Sequence, residues 1–203
     1  EGNIYVKGEF VGEVDFDMGE GSYLLDSGNE ISAFTLKLDS VGNFIWAIKS
    51  GGRISMDDDG NVYTVGVVHL TADLDPNPQQ EMLVSVPNKS LYISKLDKDA
   101  NLLWAKVLEG SASSVSVVNI KVNNSNEIIV TGRYKGTLDF NPDLSKEVIR
   151  GAWNEAFILK MSSDGEYLWD KKLTSNGWNR IGGVDIDAND NIYLSGQVYK
   201  DVD

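Results

Sequence analysis

Short apolar runs alternate with polar turn residues along the whole chain, and helical periodicity is absent. The runs are rich in β-branched and aromatic residues, and clusters of Asp, Asn, Gly and Ser separate them. This pattern predicts β-strands joined by tight turns, because these polar residues tolerate the backbone conformations that turns require. The pattern therefore predicts an all-β protein.

One strand pattern recurs four times in a single register. Its first copy reads Gly-Asn-Ile-Tyr-Val-Lys-Gly, and the four copies occupy residues 2–8, 60–66, 126–132 and 190–196. An aspartate stands seven residues after the glycine that closes each copy, at Asp15, Asp73, Asp139 and Asp203. Self-similarity at a regular spacing is the sequence signature of a repeat architecture.

A second pattern places a lysine inside an apolar strand and a tryptophan nine residues later. The pairs are Lys37 with Trp46, Lys95 with Trp104, and Lys160 with Trp169. The closing glycines of the first pattern are 58, 66 and 64 residues apart, which suits a unit of several strands. Each unit also contains two tight connections rich in Asp, Asn and Gly, so we expect four strands per unit.

Four antiparallel strands repeated at this spacing predict the blades of a β-propeller, with a β-sandwich as the alternative. The chain starts in the second strand of one blade and stops just after the second strand of another. We therefore expect three complete-to-partial blades plus a fraction of a fourth, as one propeller segment over 1–203 and a fragment of a larger ring. The predicted repeat units are approximately 1–52, 53–111, 112–178 and 179–203.

The second predicted blade has a shortened connection into its first strand. Trp46 and Gly66 are 20 residues apart, whereas the equivalent intervals in the next two copies are 28 and 27 residues. We therefore expect the first strand of this blade to be poorly formed.

Charge and composition exclude several classes of partner and site. The 203 residues include 31 acidic and 18 basic side chains, for a net charge of −13, with no cysteine and one histidine. Such a charge repels phosphate backbones, so we expect no nucleic-acid partner. Apolar stretches fall far short of the roughly 20 residues that cross a bilayer, so we expect no membrane insertion. Disulfides, thiolate metal sites and multi-histidine sites are excluded.

The aspartate after each strand repeat opens a loop with oxygen-bearing side chains at alternate positions. These candidate metal ligands are Asp15 and Asp17; Asp73, Asp75 and Asn77; and Asp139, Asn141 and Asp143. Alternating carboxylate and amide oxygens suit calcium, although the spacing does not fit an EF-hand loop. The alternative is that each aspartate accepts backbone N–H bonds in an Asx turn while the apolar residue beside it packs inward. Both interpretations stay open at this point.

Two tryptophans, Trp153 and Trp178, have no counterpart in the other copies and lie close to glycine and asparagine, which predicts loops. An aromatic ring on a loop can stack on a sugar or anchor a protein partner, so both are candidate ligand-binding residues. The alternative is that they cover a blade edge. The tryptophans that do repeat are expected to pack between neighbouring blades, because aromatic burial is the largest available contribution.

The repeated lysines lie in apolar strands, where an unpaired charge is costly. We expect them to pair with repeat aspartates on one face of a blade. The alternative is a ring of cations that lines a central channel and binds an anion.

The repeated blocks resemble those of the bacterial SBBP β-propeller repeat family. The resemblance rests on the strand 2–8, on Val14-Asp15-Phe16-Asp17, on the lysine strand 34–38 and on the hairpin 42–47. The sequence departs from the family at Met18, where an Asp-Pro pair is usual. The resemblance implies a secreted or cell-surface protein of a Gram-negative bacterium, often of the Bacteroidetes group, whose propellers act as binding or display modules. It implies no common catalytic activity.

These observations together predict a non-enzymatic binding or display module that engages a protein or carbohydrate partner through propeller loops, with calcium as a candidate cofactor. The remaining blades of a parent chain, or another copy of this chain, are the expected partners of the open blade edges. Two alternatives stay open. One is a segment of a propeller glycoside hydrolase or lyase, since two suitably spaced carboxylates would suffice. The other is a purely structural assembly or spacer module.

Overall fold

The computed structural model describes residues 2–77, 80–141, 148–174 and 179–198, and it describes 148–154 by their backbone alone. Fifteen strands and no helix are found in these residues. Accordingly, no helix long and apolar enough to cross a membrane occurs among them.

The strands fall into four consecutive groups. The first group contains β1 (Ile4–Phe10), β2 (Glu13–Asp15), β3 (Leu24–Asp26), β4 (Ser32–Leu38) and β5 (Phe44–Lys49). The second contains β6 (Arg53–Met56), β7 (Val62–Asp73), β8 (Leu83–Leu96) and β9 (Leu102–Ala112). The third contains β10 (Ser114–Val122), β11 (Ile128–Asp139), β12 (Val148–Met161) and β13 (Tyr167–Leu173). The fourth contains β14 (Asn179–Ile186) and β15 (Ile192–Val198).

Within each group the paired strands run antiparallel, and a single bridge between Leu138 and Gly110 joins the edges of the second and third groups. Strands β6 to β9 form one four-stranded blade and β10 to β13 form another. The first group contributes the three-stranded sheet β1-β4-β5, with β2 and β3 as a small hairpin inside the β1–β4 connection. The fourth group contributes the pair β14-β15. The predicted architecture is confirmed: the chain forms successive four-stranded antiparallel blades of a β-propeller, two of them complete.

The first strand of the second blade is short, as the sequence predicted. Strand β6 has 4 residues, whereas its equivalents β10 and β14 have 9 and 8. The short connection after β5 leaves too few residues to extend β6 along the whole of β7.

Six five-residue turns share one bonding pattern. In the turn Asp57–Asn61, the first residue donates its N–H to the fifth carbonyl (3.2 Å), and Gly60 donates its N–H to the first carbonyl (3.1 Å). The fourth residue has positive φ in all six turns; these residues are Gly42, Gly60, Ala100, Asn126, Gly165 and Asp190. Glycine, asparagine and aspartate tolerate this conformation, which is why such residues separate the predicted strands.

The apolar core lies between successive blades. Tyr63 and Ile93 of the second blade pack in one cluster with Val130 and Phe157 of the third. Equivalent clusters join the first blade to the second and the third blade to β14. Each blade therefore buries side chains on both faces of its sheet, which stacks the blades in chain order.

A glycine–aromatic pair occupies the same place in three blades. Gly8, Gly66 and Gly132 lie directly opposite an aromatic residue of the next strand, Phe34, Tyr92 and Phe157 in turn. A Cβ atom on these glycines would lie 2.6, 2.5 and 2.6 Å from a carbon of that ring. The glycine that closes the strand repeat therefore leaves room for a ring to lie across its strand.

Candidate functional site

The predicted metal ligands lie at the ends of β2, β7 and β11 and in the loops that follow, and their aspartates bond to the loop backbone. Asp15 Oδ1 accepts N–H bonds from Asp17 (3.0 Å) and Tyr23 (2.8 Å), and its Oδ2 accepts the Ser22 hydroxyl at 2.8 Å. The Tyr23 and Ser22 bonds hold the pKa of Asp15 below its usual value. This carboxylate is anionic at neutral pH and fixes both ends of its loop.

The second loop repeats the arrangement. Asp73 Oδ1 accepts N–H bonds from Asp75 (3.0 Å) and Met82 (2.9 Å), and Asp75 Oδ1 accepts the N–H of Asn77 at 2.9 Å. The apolar residue inside this loop, Leu74, is buried, as its equivalents Phe16 and Phe140 are.

The third loop is described as far as residue 141. Asp139 Oδ1 accepts the Asn141 N–H at 3.0 Å, and Asp143 lies outside the described residues. All three loops thus form the Asx turns that the alternative interpretation predicted. In the described part of the chain, no group of three or more His, Cys, Asp or Glu side chains is arranged to hold a metal ion. Calcium binding by these loops stays a prediction.

The structure describes one of the two candidate ligand-binding tryptophans, and it describes that one by its backbone alone. Trp153 lies within strand β12, so the loop predicted around it is wrong. Residues 148–161 pair with β11 from Asp139 to Ile128. This long pairing holds Trp153 in a strand, although the neighbouring glycine and asparagine favour a turn. Trp178 lies outside the described residues. A binding role for either residue stays a prediction.

The repeated tryptophans connect each blade to the next, as predicted. Trp46 Nε1 donates to the carbonyl of Lys98, in the turn between β8 and β9, at 3.0 Å. Trp104 Nε1 makes the same contact with the carbonyl of Ser163, in the following blade, at 3.2 Å. The indole both fills the apolar contact between blades and bonds to the neighbouring turn.

Two of the repeated lysines, Lys37 and Lys95, lie beside aromatic rings, and the three copies find different partners. Lys95 Nζ is 3.9 Å from Asp57 and 5.0 Å from the centre of the Tyr63 ring, which confirms the predicted aspartate pairing for this copy alone. Lys160 pairs with Glu127, in the turn equivalent to that of Asp57. The remaining copy, Lys37, donates to the Lys98 carbonyl at 2.7 Å.

A cleft of about 200 Å³ lies between the first and second blades. Its walls include Lys49, Asp73 and Tyr92 together with a buried hydroxyl pair, Thr64 and Ser94, 2.7 Å apart. The Tyr92 hydroxyl donates to the Gly51 carbonyl at 2.7 Å, and burial raises the pKa of this phenol to about 12. The hydroxyl groups that line the cleft are thus uncharged. Its lining also includes one cation, Lys49, and one carboxylate, Asp73. The sequence analysis missed this cleft, because Thr64 and Ser94 become neighbours only through the pairing of β7 with β8.

Exposed apolar side chains concentrate in the connection between β1 and β4. Met18 and Ile31 are 72% and 71% exposed, and Val11 and Leu24 in the same connection are also exposed. The equivalent connection of the second blade exposes Leu70 and Leu83 at its two ends. Where exposed apolar groups form a contiguous patch, they mark contact surfaces for other proteins.

The comparisons with known proteins place the chain near one class of repeat protein. No family model matches the sequence. The chain is similar to an uncharacterized WD repeat-containing protein of Acanthamoeba polyphaga mimivirus, with 24% identity over 185 residues. The alignment covers 75% of this chain and 13% of that protein, so the chain spans a small part of its relative. WD repeats form four-stranded propeller blades, in agreement with the blades described above.

Proposed function

We propose that this chain is a non-enzymatic β-propeller module that binds a protein partner through the connections between the second and third strands of its blades. The observation that carries the proposal is the exposed apolar set in these connections, above all Met18 and Ile31. These side chains lie in a connection between paired strands of a blade, which is the usual arrangement of a loop-based binding surface.

The repeat geometry supports a binding role over a catalytic one. The charged and aromatic residues that recur in each blade have structural partners: Asp15 and Asp73 hold loops, Lys95 pairs with Asp57, and Trp46 joins two blades. The name of the viral relative also describes a repeat protein of the propeller type.

The finer parts of the proposal rest on the resemblance of the repeated blocks to the SBBP family. That resemblance supports a secreted or cell-surface location and a display role. A carbohydrate partner is an extension of the same proposal, since an aromatic ring on a propeller can stack on a sugar. Membership of the SBBP family itself is proposed on the same residues.

The proposal is tested with substitutions that leave the blades intact. Met18→Glu and Ile31→Glu each place a charge in the apolar connection. Val41→Glu, at a position 80% exposed in the β4–β5 turn, is the matched control. Each variant is compared with the original chain in photo-crosslinking to proteins of its source organism and in binding to a glycan array, after circular dichroism confirms the fold.

We expect the connection variants to lose the crosslinked protein at least tenfold, while Val41→Glu retains it. Equal crosslinking by all variants would contradict the proposal. Binding to the array that the connection variants abolish would identify a carbohydrate as the partner instead, and turnover of the arrayed glycans would show an enzyme.

A further inference from the structure

The cleft between the first and second blades lies beside a short connection. The connection from Trp46 to Gly66 spans 20 residues, whereas the equivalent connection between the second and third blades spans 28. In the longer connection, Leu108, Ala112 and Val115 are buried in the apolar cluster that fills the space between those two blades. The shorter connection leaves the corresponding space between the first and second blades open, with a volume of about 200 Å³.

Two hydroxyl side chains line this cleft at positions where the third blade has apolar ones. Thr64 and Ser94 lie directly opposite each other in β7 and β8, and each is 3% exposed. The equivalent residues of the third blade are Val130 and Leu159, which also lie opposite each other and are fully buried in the apolar cluster. The polar pair therefore occurs at the blade interface that the shorter connection leaves open.

Hydrogen bonds fix the direction in which these hydroxyl groups donate. The Tyr92 hydroxyl donates to the Gly51 carbonyl at 2.7 Å, so its oxygen is available only as an acceptor. Burial raises the pKa of Tyr92 to about 12, and a hydrogen bond from Thr64 to the phenol oxygen opposes that rise. Thr64 therefore donates to Tyr92, and Ser94 donates to Thr64 across 2.7 Å. The Ser94 oxygen remains as an acceptor at the end of this chain, so it suits a ligand group that donates.

The cleft also contains two opposite charges that do not pair with each other. Lys49 Nζ donates to the Asp26 carbonyl at 3.1 Å, and an ammonium group has three donors in all. Asp73 Oδ1 accepts the two loop N–H bonds, and no described residue donates to its Oδ2. The ion pairs found between described residues include neither Lys49 nor Asp73. Each charge therefore has bonding capacity for a ligand group of the opposite sign.

We propose that this cleft binds a small zwitterionic α-amino acid whose side chain carries a hydrogen-bond donor. The ammonium group of the ligand contacts Asp73 and its carboxylate contacts Lys49. Its side chain lies among the uncharged groups of the cleft, where a hydroxyl or amide N–H donates to Ser94 Oγ. Ile48 and Leu74, which also line the cleft, contact its carbon atoms. The cleft has the volume of roughly six water molecules in the liquid, which suits a single amino acid of modest size.

The charges of the cleft favour a zwitterion over other small molecules. A simple anion is attracted by Lys49 but repelled by Asp73, and for a simple cation the two effects are reversed. A neutral polyol can form hydrogen bonds with both groups but compensates neither charge. A molecule that carries both charges is attracted by both residues at once.

The test measures binding of free amino acids to the whole chain by isothermal titration calorimetry. The probes are L-serine, L-threonine and L-asparagine, and a chelator keeps metal ions away from the Asp73 loop. We expect saturable binding of at least one probe. Its N-acetyl and C-amide derivatives each lack one charge and are expected to bind at least tenfold more weakly. L-Alanine lacks the side-chain donor and is expected to bind at least fivefold more weakly.

Variants of the chain test each contact, after circular dichroism confirms their fold. Asp73→Asn removes one charge and keeps an oxygen for both loop N–H bonds, and Lys49→Gln removes the other charge. Each is expected to weaken binding at least tenfold. Thr64→Val combined with Ser94→Leu rebuilds the apolar pair of the third blade and is expected to abolish binding. Lys171→Gln, at an exposed lysine that does not line the cleft, is the matched control and is expected to bind like the original chain.

Three results would overturn the proposal. The first is the lack of saturable binding of all three probes. The second is binding of glycerol or glucose as tight as that of the best probe, which would identify a neutral polyol as the ligand. The third is amino-acid binding that Asp73→Asn and the Thr64→Val, Ser94→Leu variant both leave unchanged, which would locate the site elsewhere.

This inference is independent of the loop surface proposed above. Met18→Glu and Ile31→Glu are expected to leave amino-acid affinity unchanged, and the Thr64→Val, Ser94→Leu variant is expected to leave the crosslinked partner unchanged. Failure of one proposal is therefore distinguishable from failure of the other.

Discussion

At the scale of single residues, two buried tyrosines differ in what their hydroxyl groups contact. The Tyr92 hydroxyl donates to the Gly51 carbonyl, whereas the fully buried Tyr134 hydroxyl has no hydrogen-bond partner among the described residues. Burial, followed by the nearby Glu155 charge, raises the pKa of Tyr134. Both phenols are therefore neutral across the physiological range, and one of them donates a hydrogen bond while the other does not.

We expect Tyr92→Phe to lower the free energy of unfolding by about 1 kcal/mol, because it breaks a hydrogen bond and leaves a carbonyl without its donor. Tyr134→Phe removes a polar group that is buried without a partner, so we expect no loss, or a gain of up to about 1 kcal/mol. Urea unfolding monitored by circular dichroism measures both. Equal losses in the two variants would contradict the assignment.

A second residue-scale prediction concerns the positive φ in the tight turns. Gly60 has φ of 82°, and the equivalent residues in the next two blades are Asn126 and Asp190. A Cβ atom at Gly60 would lie no closer than 3.6 Å to another atom. The change in stability on substitution there therefore reflects the backbone conformation and not a steric clash. We expect Gly60→Ala to cost about 1–2 kcal/mol in thermal unfolding. Gly60→Asn is expected to cost clearly less, because asparagine tolerates this conformation. An alanine variant as stable as the asparagine variant would contradict this explanation.

At the scale of strands and loops, the sequence repeat predicted which segments form neighbouring strands. It did not predict why a glycine closes every copy of the strand pattern. Pattern and turn residues predicted the four-stranded blades and the short β6. The pairing of Gly8 with Phe34 depends on the register of two strands 26 residues apart, and a pattern read along one strand does not contain it. The same reason explains Trp153: its neighbours indicate a turn, but the long β11–β12 ladder extends through it.

The loop aspartates allow the two interpretations of Asp15 to be separated. Since Asp15 holds Tyr23 and Ser22 through its own oxygens, we expect Asp15→Ala to lower the melting temperature by the same amount in millimolar calcium and in chelator. Asp17→Ala removes one N–H contact, to Gly19, and is the control. A calcium-dependent rise in the melting temperature of the original chain that Asp15→Ala abolishes would establish a metal site instead, because only a ligand that prefers the folded state stabilises it.

The aspartates of the tight turns predict how stability depends on pH. Hydrogen bonds from Asn43 lower the pKa of Asp39, and hydrogen bonds from Asn191 lower the pKa of Asp187 to about 2. Because these folded-state values lie below the unfolded value of about 4, the stabilisation is present above pH 4 and is lost as the pH falls toward 2. We expect the urea midpoint to fall over this window. The fall should be smaller in Asp39→Asn, which keeps the turn without a titrating group; an unchanged pH profile in that variant would contradict the assignment.

At the scale of the whole molecule, stability depends on contacts between successive blades. In repeat proteins each unit contacts its immediate neighbours, so the free energy of unfolding is approximately a sum of unit and interface contributions. Trp46 and Trp169 occupy the same position in two blades, yet Trp46 donates to the Lys98 carbonyl and Trp169 has no acceptor in the described structure. Substituting each tryptophan in turn therefore compares two blade interfaces. In one the indole N–H bonds to a carbonyl of the neighbouring turn, and in the other no described residue accepts it.

We expect Trp46→Phe to lower the free energy of unfolding by about 1 kcal/mol or more beyond the effect of Trp169→Phe, because Trp46 is the more deeply buried ring and its indole also loses a hydrogen bond. Urea unfolding of the two variants measures the difference. Equal losses in the two variants would contradict this assignment.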